Sequence, residues 1–274
     1  TPSAVRRFRS EGAALARLQH PCVATVVSSG VDETLGLAWI ALEFIDGARS
    51  ITDFAQSKSL ALRERLQLFQ EACLAVHHAH QKGVIHRDLK PANILVGGDG
   101  RLKVIEPDTG RPVSTTATHT GIPLGTLAYM SPEQCVGEGA DVRSDVFSLG
   151  VVLHELLSGQ VPLELDGVTL ERALRLIRDQ PPPPLRRHAP DAPRDLEVIV
   201  ATAMEKDPGR RYASVAAFAE DIGRFLSSRP IEARPAPWTH HLALFAARHR
   251  VVVGAAAVVV LVLLSAIWVS LQFA

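Results

Sequence analysis

Apolar residues fall into stretches of different period along the chain. Over residues 4–18, Val5, Phe8, Leu15 and Leu18 recur on one side, which predicts an amphipathic helix closed by Pro21. Residues 22–30 (CVATVVSSG) and 35–45 (LGLAWIALEFI) are β-rich. From Leu60 the period becomes helical, with Leu62, Leu66, Phe69, Cys73, Val76 and His80 at three- and four-residue steps until Gly83. The short apolar pieces VIH, NILV and LKVI predict small strands around a loop. Residues 109–127, rich in Thr, Ser, Gly and Pro, read as exposed loop. A second helix is expected from Ser144 as N-cap, turning Val146, Leu149, Leu153 and Leu156 inward. Pro181–Pro184 breaks the pattern as a linker, and helical periods return at 194–206 and 214–227. Pro230, Pro235 and Pro237 mark an extended connector. Residues 251–271 carry no charge at all.

Composition narrows the function classes. The 274 residues include 29 Lys plus Arg and 29 Asp plus Glu, a net charge of zero that gives no basic surface for nucleic acid. Cys22, Cys73 and Cys135 form no CxxC pair, so no disulfide framework or zinc site is indicated, and a reducing compartment fits. The cluster His77, His78 and His80 has no carboxylate or cysteine at a matching offset and reads as helix surface and packing. The chain opens on Thr1 with no apolar stretch of a signal peptide behind Arg6, Arg7 and Arg9, and is expected to be cut from a longer one.

The most specific segment is His86-Arg87-Asp88-Leu89-Lys90-Pro91-Ala92-Asn93, set between a long helix and a short apolar strand. It fits the catalytic-loop pattern H-R-D-L-x-x-x-N at every fixed place. The sequence over about residues 4–228 resembles the Hanks-type, eukaryotic-like bacterial serine/threonine protein kinases. The resemblance implies an α+β, protein-kinase-like fold, with a partial N-lobe over 1–45 and a mainly helical C-lobe over 46–228. It implies ATP and magnesium, or manganese in its place, and protein substrates. Asp88 would orient the substrate hydroxyl and Lys90 would meet the γ-phosphate. Asn93 would offer an amide oxygen to the metal, a hard cation that prefers oxygen ligands. Arg87 resembles the arginine that pairs with a phosphorylated activation loop.

Further motifs follow in the family's order. GTLAYMSPEQ (125–134) resembles the end of an activation segment, with Thr126 beside Asp88 and Lys90. Glu133 would pair with Arg211, and Asp145 would brace the catalytic-loop backbone. ALEFIDG resembles the hinge, which implies Leu42 as gatekeeper, Ile45 as the amide contact, and Glu43 and Leu95 in the ATP site. Glu11 resembles the helix-C glutamate that pairs with an ATP-clamping lysine, yet no lysine precedes it in this chain. The metal-binding D-F-G is replaced: its register falls on Glu106-Pro107-Asp108, with Glu106 in the ligand's place. A glutamate keeps the charge but reaches one methylene further, and magnesium tolerates little geometric error. Thr115, Thr116, Thr118 and Thr120 are candidate phosphorylation sites facing Arg87.

A Pro- and Arg-containing connector over 229–250 leads to the uncharged run 251–271, which reaches about 31 Å as a helix and matches a bilayer core. Arg248, His249 and Arg250 place that flank inside. The expectation is a single-pass inner-membrane protein with a cytoplasmic kinase domain, compatible with a dimer through either region. The alternative is a membrane-tethered pseudokinase scaffold or inactive fragment, motivated by the replaced D-F-G and the absent glycine-rich loop.

Overall fold

The computed structural model describes residues 18–32, 37–105, 124–137 and 139–233. All of the expected first helix before Leu18, the Glu106-Pro107-Asp108 segment, Thr115–Thr120 and the uncharged run 251–271 lie outside the described residues.

Two small sheets mark one side of the molecule. Strand β1 (Val26–Asp32) pairs antiparallel with β2 (Leu37–Leu42). Gly30 sits opposite Trp39, and a Cβ there would come within 2.7 Å of the indole, so glycine lets the ring lie across the hairpin. Strands β3 (Arg49–Ser50), β4 (Ile94–Val96) and β5 (Leu102–Val104) form the second sheet in that spatial order. The strip before β1 runs beside β5: Ala24 N–H donates to Val104 C=O at 2.9 Å, and Val104 N–H to Cys22 C=O at 2.8 Å. These bonds stitch the hairpin side to the helical body. The expected strand at Val84–His86 does not form, because the His86 N–H is taken by a carboxylate from a helix rather than by a neighbouring strand.

The body is helical. Helix α1 (Ile51–Ser57) starts on Ser50, whose hydroxyl accepts from Asp53 N–H at 3.1 Å. Helix α2 (Leu62–Gln81) follows the expected period: Leu66, Phe69, Ala72, Cys73 and Val76 are all buried. Helices α3 (Leu124–Leu127) and α4 (Pro132–Val136) are short. Helix α5 (Val142–Ser158) begins earlier than expected. Asp141 is its N-cap, accepting from Arg143 N–H at 2.7 Å, whereas Ser144 lies buried in the first turn. A carboxylate at the N-terminus satisfies free amides and the helix dipole together. Gly150 lets α5 approach α8 (Arg194–Ala203) closely: a Cβ there would meet Ala203 and Met204 at 2.9 Å.

Helices α6 (Leu170–Asp179) and α7 (Leu185–His188) complete the sequence of elements before α8. α6 buries only Ala173 and Ile177, and it closes a small second core with Leu127, Ala128, Leu163 and Leu165. Helix α9 (Val215–Leu226) packs along α2 through Phe218, whose ring lies 5.6 Å from Phe69 and 5.2 Å from Tyr212. The ordered body continues past the boundary expected at 228. Ile231 is buried in the main core, and Glu232 and Ala233 donate their N–H groups to Asp221 at 2.6 and 2.9 Å. No described helix is long and apolar enough to cross a membrane.

Candidate active site

The loop between α2 and β4 carries the densest polar network. Asp145, in the first turn of α5 and fully buried, organises it. Its carboxylate accepts from His86 N–H at 2.9 Å and Arg87 N–H at 2.8 Å. His80, on the last turn of α2, approaches the same carboxylate at 2.7 Å through Nε2. A buried carboxylate needs such partners, since leaving it unpaired costs several kcal/mol. Sequence periodicity places His80 in the helix pattern but misses this pairing. His86 in turn reaches the Ile105 C=O at 2.8 Å, and burial pushes its imidazole below its ordinary pKa.

This frame presents three side chains on one face. The Lys90 ammonium lies 2.9 Å from an Asp88 carboxylate oxygen and 3.5 Å from the Thr126 hydroxyl. Asn93 donates its amide to the Asp88 C=O at 2.7 Å, and more weakly to the Asp88 carboxylate at 3.3 Å. Pro91–Asn93 forms a 3-10 turn that holds this spacing, and Ile105 N–H donates to Asn93 C=O at 2.9 Å. The Asp88 side chain is 38% exposed, so its carboxylate faces an incoming group while Lys90 keeps it paired. Such a face can accept a hydroxyl proton and offset phosphate charge. Thr126 thus stands beside Lys90, while Glu11, Glu106, Thr118 and Thr120 lie outside the described residues.

The hinge segment lies against the second sheet, the Gly98 N–H donating to the Asp46 C=O at 2.8 Å. Glu43 N–H donates to Thr25 C=O at 2.9 Å. Its carboxylate accepts from Thr25 N–H at 2.8 Å and the Lys103 ammonium at 2.7 Å, so its side chain is committed to the scaffold. The Lys103 hydrogen bond, then that of Thr25, holds the carboxyl below its ordinary pKa. Among the described residues, the Glu43 C=O and Ile45 N–H have no protein partner. That pair of backbone groups matches the donor and acceptor edge of a purine. The Asn93 amide oxygen likewise has no described partner, which suits a hard divalent cation. The residues present therefore fit a nucleotide and one metal contact.

A second network locks the segment after Thr126. Arg211, from the loop before α9, forks onto both Glu133 oxygens at 2.7 and 2.8 Å. Ser144 donates to Glu133 at 2.6 Å. Burial pushes the Glu133 carboxyl up, but Arg211 and Ser144 outweigh it and hold it at about 2. No group of three His, Cys, Asp or Glu among the described residues is arranged to hold a metal. The His78 ring lies tilted against that of His20, with ring centres 5.1 Å apart.

The protein kinase domain family matches residues 2–221. The chain belongs to that family. It is 37% identical over 237 residues to the serine/threonine-protein kinase PknB of Mycobacterium leprae, covering 85% of this chain and 38% of that protein. It is 34% identical to the serine/threonine-protein kinase PknA of Mycobacterium tuberculosis, covering 83% of this chain and 53% of the relative. The chain thus spans about two fifths to a half of these curated relatives. Among solved structures, the PknI kinase domain of Mycobacterium tuberculosis aligns with TM-score 0.63 and 25% identity, covering 82% of this chain and 80% of that one. The kinase-domain fold is therefore shared.

Proposed function

We propose that this chain is the catalytic part of a serine/threonine protein kinase, moving the γ-phosphoryl group of ATP to a protein Ser or Thr hydroxyl. The observation that carries the reading is the convergence of Asp88, Lys90, Asn93 and Thr126 on one half-exposed face backed by Asp145. Asp88 receives the hydroxyl proton and aligns its oxygen. Lys90 offsets the charge of the transferring group, and its contact to Thr126 places the substrate-docking segment. Asn93 would hold a metal ion through its amide oxygen, and the hinge backbone at Glu43 and Ile45, flanked by Leu42 and Leu95, would seat the adenine. Magnesium, when bound, neutralises the phosphate oxygens. Arg87, exposed on the loop, would pair with phosphate on Thr118 or Thr120.

The uncharged run 251–271 behind Arg248–Arg250 supports a single membrane span with the kinase part on the cytoplasmic side, and leaves room for a dimer through either region. Glu106 in the metal ligand's register favours a second reading, a membrane-tethered pseudokinase scaffold. The discriminating experiment is phosphate transfer to a generic protein substrate by the protein expressed from its complete gene, with magnesium or manganese, beside Asp88→Asn and Glu106→Asp. Turnover lost in Asp88→Asn by a factor of about 10²–10⁴ supports the enzyme. No turnover in the parent together with recovery in Glu106→Asp establishes the scaffold.

A further inference from the structure

Arg87 adopts a left-handed backbone, φ 65°, a conformation that costs an ordinary L-residue about 1–2 kcal/mol. Such a residue persists only where its surroundings over-determine it. Its N–H is fixed by Asp145 at 2.8 Å. Its C=O accepts from the Gln134 side-chain amide at 2.7 Å, across 47 residues of sequence. The other side of the same peptide unit, the Asp88 N–H, has only a long 3.4 Å contact to His86 Nδ1. The Arg87–Asp88 peptide plane is therefore held chiefly by Gln134.

Gln134 is itself immobilised. Its Oε1 accepts from Ser131 N–H at 3.0 Å and from the Ser131 hydroxyl at 2.9 Å, as the partner of that residue at the start of α4. The reverse amide orientation would set oxygen against the Arg87 oxygen and NH₂ against the Ser131 N–H, so the network fixes which end is which. Neighbouring Glu133 is clamped by Arg211 and Ser144.

We propose that Gln134 is a positioning residue for the reaction: it carries the order of the Ser131–Glu133 segment to the peptide plane that aims Asp88. The proposal rests on the kinase reading for its catalytic consequence, but its structural core is independent of turnover. The decisive variant is Gln134→Glu, which keeps an acceptor for Ser131 and removes the donor to Arg87; Ser131→Ala is the converse control. In the protein expressed from its complete gene, Gln134→Glu should speed amide exchange across 84–90 about fivefold, leaving α2 and α8 unchanged. It should lower kcat about fivefold with KM for ATP unchanged, while Ser131→Ala stays within about twofold of the parent in kcat. Parent-like exchange over 84–90 in Gln134→Glu overturns the proposal, and so does a uniform rise through α2 and α8. A parent with no turnover overturns the kinase reading alone, and the exchange measurement still decides the role of Gln134.

Discussion

The β1–β2 hairpin and the helical body are stabilised in different ways. The body surrounds Phe69, Leu149 and Phe218, none of which is measurably exposed, and its charged pair Glu133–Arg211 is buried too. The hairpin side leaves Val27 69% exposed, Trp39 47% and Phe44 89%. Two strands alone are marginal in water. What attaches them is a few apolar contacts, Val26 and Ile40 lying against the main core, together with the backbone bonds between the Cys22–Ala24 strip and β5 and the Glu43–Lys103 ion pair. A body built on buried area and a hairpin held by few apolar contacts and a few directional bonds should respond differently to mutation.

The largest effect is expected in the body. Arg211→Ala leaves the buried Glu133 carboxylate unpaired and should cost about 3–5 kcal/mol in urea unfolding. Glu133→Gln should also flatten the acid limb. The folded carboxyl sits at about 2 against an ordinary 4.5, so its contribution is present above pH 4.5 and is lost as pH falls toward 2. Next comes Phe69→Ala, a truncation between α2 and α9, at about 3–5 kcal/mol less whatever the surrounding side chains recover by collapsing.

His154 gives a smaller, pH-dependent effect in the same core. Burial is the main cause that lowers its imidazole to about 4 from 6.5. The unfolded chain therefore takes up a proton first, and stability falls as pH drops from 6.5 to 4. His154→Gln should remove that slope in a pH series of thermal melts; an unchanged slope would show the group to be solvated. Lys103→Met tests the attachment of the hairpin. It should cost about 1 kcal/mol or less globally, because the pair is partly exposed, but raise hydrogen exchange in β1 and β2 well above that in α2. Equal protection in hairpin and body would break the comparison. Trp39→Ser is the smallest: removing a half-exposed ring from the hairpin should move body stability by no more than about 0.5 kcal/mol.

The legible parts of the fold are those with a strong period. Helix α2 is readable because its apolar residues repeat over twenty positions and Gly83 ends the run in a left-handed turn, φ 78°. Helix α6, which is not among the expected elements, carries a period too: Leu170, Ala173, Leu174 and Ile177 stand at three- and four-residue steps behind the Thr169 cap. The start of α5 falls at Asp141 rather than Ser144, and both are good N-cap residues. Packing chooses between them by burying Ser144 against Glu133. The VIH piece has the composition of a strand, but the His86 amide is claimed by Asp145.

The sequence by itself determined the order of the motifs and the residue types of the catalytic loop, since those chemistries need particular side chains at fixed local spacing. It also determined the long helices and the uncharged run near the C-terminus. Only the tertiary structure decided which distant groups meet. His80 reaches Asp145, Lys103 reaches Glu43, and Gln134 reaches Arg87. Each contact joins residues tens of positions apart, and local periodicity contains no term for a hydrogen bond made across a fold. The left-handed Arg87 shows the same limit: an arginine has no preference for that conformation, and only partners from two other elements hold it there.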